Sequence, residues 1–237
     1  MNGFLAIPAA AWLLAAIVMA ALRARPRLLK PPVVDATWTA LVGGLAVLYA
    51  NQGGGATPRR AAIGWMMGSW AARLTVQQLY VRAMIERVGP EGLRDEHRSE
   101  SFWSLQTHAA SAAFFSLPAF FSSQNPDPGF SLVELVACGL WILGFACETT
   151  ADRQLLRFTS NHANSGRTCR TGLWRCSRRA NEIFEGLIWL AWALFASASP
   201  WGWVAFACPA AMVYLIATGN ASHLPGMARA RRRTWWK

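Results

Sequence analysis

The stretch FLAIPAAAWLLAAIVMAAL, residues 4–22, decides the class of fold. It carries no charge, and a helix rising about 1.5 Å per residue needs roughly 20 apolar positions to cross about 30 Å of hydrocarbon. No basic region precedes it, its apolar run exceeds the roughly 7–15 residues of a signal peptide, and its positive charges come after it, so it reads as a retained span. The rest of the chain agrees. Of 237 residues, 54% are hydrophobic and only 15% charged, with 13 Trp, a composition too apolar for a soluble domain. The net charge of +11 would suit a polyanion, but the basic residues fall in short clusters between apolar runs, where they set topology. Nucleic acid is therefore not an expected partner.

Apolar runs set against turn signals give spans at 4–22, 36–52, 61–81, 102–121, 130–147, 183–199 and 201–219. The expectation is an all-α polytopic membrane protein with about seven transmembrane helices in a single domain, 1–237. The last two spans divide one stretch, Ile183 to Gly219, at Ser199-Pro200, where a tight hairpin is expected. With the N-terminus outside, 20 of the 23 Lys and Arg fall on the inner side, Arg59 and Arg60 fall outside, and Arg73 lies within a span. The positive-inside bias thus puts the C-terminus, with its basic tail 220–237, inside. Gly53-Gly54-Gly55 lacks the strand, Lys and helix of a phosphate cradle and reads as an outer turn. Asn220-Ala221-Ser222 matches a glycosylation sequon but falls on the inner side in this topology. Such a chain is integral to a membrane: bacterial plasma membrane, endoplasmic reticulum or inner mitochondrial membrane.

Two places concentrate polar chemistry. The connection from Glu148 to Glu182 reads as the longest and most basic loop, with seven arginines from Arg153 to Arg179. Guanidinium groups at that density suit either the phosphates of a cofactor or lipid headgroups. In the third span, Trp70, Arg73, Gln77 and Tyr80 recur at helical spacing and place a charge inside the bilayer. That stripe is read as the wall of a substrate pocket or as a buried structural contact. His97, His108, His162 and His223 are not spaced as metal ligands, and five Cys give no zinc spacing or disulfide framework, so no metal is expected.

The wording of the basic segment is informative. Glu148-Thr149-Thr150-Ala151-Asp152-Arg153-Gln154, then Phe158, then Thr171-Gly172-Leu173-Trp174-Arg175-Cys176-Ser177-Arg178, followed by Asn181 and Glu185, resembles the C-terminal signature of the steroid 5-alpha-reductase-like superfamily. More narrowly it is similar to the bacterial and protist branch labelled a domain of unknown function. Upstream echoes are Asp35 and Trp38, Trp70-Ala71-Ala72-Arg73-Leu74, and Phe102, Trp103 and Gln106 ahead of Leu117-Pro118. The resemblance covers roughly residues 33 to 200, with the signature region at 148–192. It implies a seven-helix membrane fold, NADPH entering from the inner side, and a lipid or sterol substrate entering laterally. The polar positions of the signature fall on Asp152, Arg178, Asn181 and Glu185, which the resemblance makes cofactor-binding residues. In a helix from Arg178 onward, residues 178, 181, 185, 189 and 192 share one stripe.

The departures fall in the same region. Where the pattern has His, Pro, Tyr and Gly, this chain has Arg179, Ala180, Glu182 and Phe184, and a Lys-Tyr-Pro-x-Tyr type segment is not found ahead of the final Arg231-Arg232-Arg233-Thr234-Trp235-Trp236-Lys237. Arg179, Ala180 and Phe184 are expected to point away from the retained stripe, whereas Glu182 lies about 40° from it. The relatives polarise a conjugated carbonyl with a Glu and a Tyr on early helices; here no Glu precedes Glu86, and only Tyr49 and Tyr80 offer a phenol. Three functions are compatible with these residues: an NADPH-dependent reductase of a carbon-carbon double bond in a lipid or sterol; a catalytically degenerate accessory subunit of a larger membrane complex; or a membrane methyltransferase using S-adenosylmethionine.

Overall fold

The structure is a computed structural model that describes residues 2–25, 31–88, 101–161, 164, 167–177 and 179–217. Eight α-helices appear among them: α1 (Asn2–Arg23), α2 (Pro31–Gln52), α3 (Thr57–Val88), α4 (Phe102–Phe115), α5 (Leu117–Ser122), α6 (Leu132–Thr159), α7 (Ala180–Ser197) and α8 (Ala207–Ala217). Two 3-10 turns, Gly172–Arg175 and Gly202–Phe206, precede α7 and α8. Helix is thus the regular structure of the described residues, and three helices are long and apolar enough to cross a membrane: Ala6–Arg23, Val33–Gln52 and Leu132–Thr159.

α2 and α3 pack as an antiparallel pair, α6 and α7 as another, and α4 and α5 fill the space between α1, α2 and α7. The first pair is held close by a glycine: a Cβ built on Gly43 would sit 2.2 Å from the Cβ of Ala71. At the centre lie Trp70, Trp189 and Trp192, each fully buried, with ring centroids 4.8–5.5 Å apart in edge-to-face contact. Edge-to-face packing sets the positive ring edge against the negative face of its neighbour. Around them the outward faces stay apolar, as Leu13, Ile17, Leu132, Leu135, Ile142 and Val213 show. So many large apolar side chains on the exterior, together with three helices of spanning length, are consistent with an integral membrane protein.

Three expected boundaries are corrected. The fourth span is broken: α4 ends at Phe115, and α5 restarts at Leu117-Pro118 after Ser116. Proline has no N–H to continue the ladder but fits the first turn of a new helix. The fifth span does not stop at Cys147. α6 runs on to Thr159, so the first part of the expected Glu148–Glu182 loop is helix. Its start is set by a capping box in which Ser131 and Glu134 satisfy each other's backbone N–H, and no proline interrupts the turns from there to Thr159. The last apolar stretch gives a 3-10 turn and the short α8 rather than one continuous helix, entered through Trp201 at φ 61. The glycine turn at 53–55 is anchored: Gly55 N–H donates to the Ser123 carbonyl and Ala56 N–H to the Asn125 carbonyl, each at 2.8 Å. The tail 220–237 with its sequon, together with His97, His162 and His223, lies outside the described residues.

Candidate functional site

The extension of α6 carries the site. Residues 148 and 152 are one turn apart on α6, and Ala151 and Asp152 are buried where α6 meets α7. Arg73, on the third helix, reaches both carboxylates. One of its terminal nitrogens donates to Asp152 Oδ2 at 3.1 Å, the other to Glu148 Oε2, and Gln77 Oε1 accepts at 3.4 Å from one turn along. The side chains of Glu148 and Asp152 are 1% and 5% exposed, that of Arg73 15%. The guanidinium also lies over the Phe145 ring at 5.2 Å. From α7, Asn181 Nδ2 donates to the second oxygen of Asp152 at 3.3 Å. Three helices therefore meet at Asp152.

Of the expected cofactor residues, Asp152 and Asn181 are in direct contact. Glu185, half-buried, lies one turn beyond Asn181 on the same face of α7. Arg178 lies outside the described residues. The expected stripe continues inward through Trp189 and Trp192, both fully buried. Of the expected pocket wall, Arg73 and Gln77 join the cluster, whereas Tyr80 is 46% exposed. Tyr49 packs edge-to-face on Phe120 near the opposite end of α2, so neither phenol is placed at Arg73. Asp35 is buried, and Trp38 Nε1 donates to Ser111 Oγ at 2.8 Å, tying α2 to α4.

Glu148 is the site residue that sequence reasoning misses. The apolar pattern places it at the head of a loop; continued helix turns it inward to Arg73, and its spacing of four from Asp152 is the available signal.

The substituted positions pack with one another. Ala180 is buried with Ala151, Cys169 and Trp174 in a small cluster joined by Leu155, Phe158, Leu173 and Phe184. Ala180 and Phe184 do point away from the polar stripe, into this cluster rather than to solvent. Glu182 faces Arg179, whose Nη1 lies 3.4 Å from its Oε2 in an open pair, 53% and 28% exposed. The turn before α7 is fastened to α6: Trp174 Nε1 donates to the Ala151 carbonyl at 2.9 Å and Leu173 N–H to Gln154 Oε1 at 3.0 Å. Gly172 makes this possible with φ 57, since a Cβ there would meet the Gln154 amide at 2.4 Å.

Chemically, the cluster offers more acceptors than donors. Two buried carboxylates share one guanidinium, with Glu185 close by, while exposed Arg175 and Arg179 stand at the entrance to α7. No cluster of His, Cys, Asp and Glu suited to a metal ion occurs among the described residues. No curated protein and no solved structure is significantly similar to the chain. The model of DUF1295, described as a protein family of unknown function, matches residues 26–233, and the chain belongs to that family.

Proposed function

We propose that the chain is a seven-span integral membrane protein of the steroid 5-alpha-reductase-like fold, N-terminus outside, and an NADPH-dependent reductase of a carbon-carbon double bond in a lipid or sterol. The observation that carries the reading is the meeting of Arg73, Glu148, Asp152 and Asn181 at one end of the bundle. The signature residues converge there although Arg73 lies 79 positions from Asp152 in sequence.

The donor set fits NADPH in kind. Carboxylates and the Asn181 amide suit the hydroxyls and carboxamide of a nucleoside, which need acceptors as well as donors. Arg175 and Arg179, with Arg178 beside them in sequence, suit phosphates. When bound, the cofactor supplies hydride. The chain's part is to bind and orient: Arg73 fixes Glu148 and Asp152, and Asp152 fixes Asn181. The tryptophan core beneath excludes water from the reacting face.

The test is binding before activity. Mass spectrometry of the purified protein is expected to find NADPH, with S-adenosylmethionine or no cofactor overturning the reading. Asn181→Ala and Glu185→Ala should each abolish NADPH binding, measured by fluorescence titration, while leaving a folded protein by circular dichroism. Unchanged affinity in both removes them from the site.

A second reading, an accessory subunit that has lost the cofactor, is favoured by the Arg179–Glu182 pair and by the packing of Ala180 and Phe184. These substitutions have been accommodated in a way that keeps the scaffold without requiring a ligand. Protein that copurifies with neighbouring chains, binds NADPH weakly or not at all, and regains binding when the signature is restored supports this reading.

A further inference from the structure

α6, at 28 residues, is long enough to run past the end of the hydrocarbon. From Leu135 to Arg153 is about 27 Å of helix and to Arg157 about 33 Å, so these arginines reach headgroup level if Leu135 lies near the opposite boundary. Arg153 and Arg157 are exposed and lie one turn apart. By 100° steps they face away from Ala151, Leu155 and Phe158, the side of α6 against which the Gly172–Arg175 turn is fastened. On that other side the chain presents Arg167 and Arg170, also exposed, while Cys169 between them is buried. The alternation is structural: Cys169 and Trp174 point into the small cluster, and the arginines point out. Asn164 adds a tie, its Nδ2 donating to the Phe158 carbonyl at 2.9 Å.

Among the described residues no carboxylate pairs with Arg153, Arg157, Arg167 or Arg170, and the sequence between Arg153 and Arg179 contains no Asp or Glu. Four exposed guanidinium groups, none paired with a carboxylate among the described residues, thus lie about the end of a membrane-length helix. Exposed Leu143 and Ile142 on the same helix offer apolar surface to acyl chains below. One soluble polyanion could not reach both sides of α6, but a layer of headgroups does. We propose that this collar binds anionic phospholipid, with the phosphodiester groups of two or more lipids held on opposite sides of α6. The collar is separate from Arg175 and Arg179 at the entrance to α7, and the proposal stands whether or not the chain is a reductase.

The test is retention of lipid by the full chain, purified from mixed phosphatidylcholine and phosphatidylglycerol bilayers and measured by native mass spectrometry. Each basic residue near an anionic surface strengthens binding by about fivefold, and four partly screened ones should together give a preference for phosphatidylglycerol on the order of a hundredfold. High salt should reduce it. Replacing Arg153, Arg157, Arg167 and Arg170 together by Gln should abolish the preference, and replacing them together by Lys should keep most of it. NADPH affinity, where the wild type shows any, should be unchanged in both. If the Gln variant does not fold, the Lys variant and the salt dependence of the wild type decide. No preference in the wild type, a preference that survives in the Gln variant, or displacement of the lipid by inorganic phosphate as readily as by phosphatidylglycerol vesicles would each overturn the proposal.

Discussion

α3 sends two arginines across to α6, Arg59 from its first turn and Arg73 from its middle, and the two pairs differ in what they leave over. At one end, Arg59 is used up: it meets Glu134 through two nitrogens, the second at 2.8 Å, and donates to the carbonyls of Asp127 and Gly129. Glu134, fully buried, also accepts from the Ser131 N–H at 2.8 Å and from its hydroxyl at 2.9 Å. Midway along α3, Arg73 serves two carboxylates and Gln77, its Nε has no partner, and Asn181 donates to Asp152. One pair closes a loop against a helix; the other gathers two buried carboxylates on one guanidinium. Similar ingredients therefore yield a clamp where each group has its match, and a candidate site where the numbers do not match.

The largest expected effect is at the clamp. Arg59→Ala would leave Glu134 buried with its strongest partner gone, and losing one member of a buried pair costs about 3–5 kcal/mol. Thermal unfolding in detergent should show this loss. Replacing the pair together, Arg59→Met with Glu134→Leu, should recover most of it, because apolar residues of similar volume can take the place of a buried ion pair. NADPH binding, if present, should return with the fold.

Arg73→Ala should cost less, about 1.5–3 kcal/mol, since the Arg73 side chain is 15% exposed against 3% for Arg59 and water entering there can partly solvate the two carboxylates left behind. The contrast lies in the rescue. Arg73→Met with Glu148→Leu and Asp152→Leu should regain stability but not cofactor binding. If Arg73→Ala is as damaging as Arg59→Ala, or if the triple apolar variant still binds NADPH, the division into clamp and site fails.

Much of this arrangement is legible in the sequence. Arg73 inside an apolar run announces a partner, and the spacing of Asn181, Glu185, Trp189 and Trp192 puts them on one face before any packing is known. The clamp is not legible. Arg59 reads as a topological charge beside Arg60, and nothing local says that it will be buried. The one usable sign is Ser131-x-x-Glu134, a capping-box pattern that marks the start of α6. Pairing residues 75 positions apart depends on how α3 and α6 come together, which no helical period encodes. The end of α6 is hidden for a related reason. Glu148, Asp152 and Arg153 look like the polar edge of a loop until Arg73 is known to bind the first two.

The fastening of the turn before α7 should matter next. Gly172→Ala forces a side chain into a left-handed position and against Gln154, at a cost of about 1–3 kcal/mol. Hydrogen exchange should show the loss confined to the 3-10 turn and the end of α6. The Arg59 clamp, at the other end, should be unaffected. Loss of protection at both ends would mean that the two regions are not independent.

The smallest effect on stability is expected at Glu182, and it separates the two functional readings. Its pair with Arg179 is open to solvent, and exposed pairs contribute about 0–1 kcal/mol, so Glu182→Gln should leave the melting temperature nearly unchanged. Its effect on binding should be larger than its effect on folding. If the entrance to α7 receives phosphates, the carboxylate both repels them and occupies Arg179, and removing it frees one guanidinium. A single screened charge of this kind is worth about 1 kcal/mol, or roughly fivefold in affinity. A gain of that size over weak wild-type binding would mean that the site retains its design and that Glu182 weakened it, as the accessory-subunit reading requires. Tight wild-type binding that Glu182→Gln does not improve would instead show Arg179 turned away from the cofactor, and would favour an active reductase in which the Arg179–Glu182 pair is only surface.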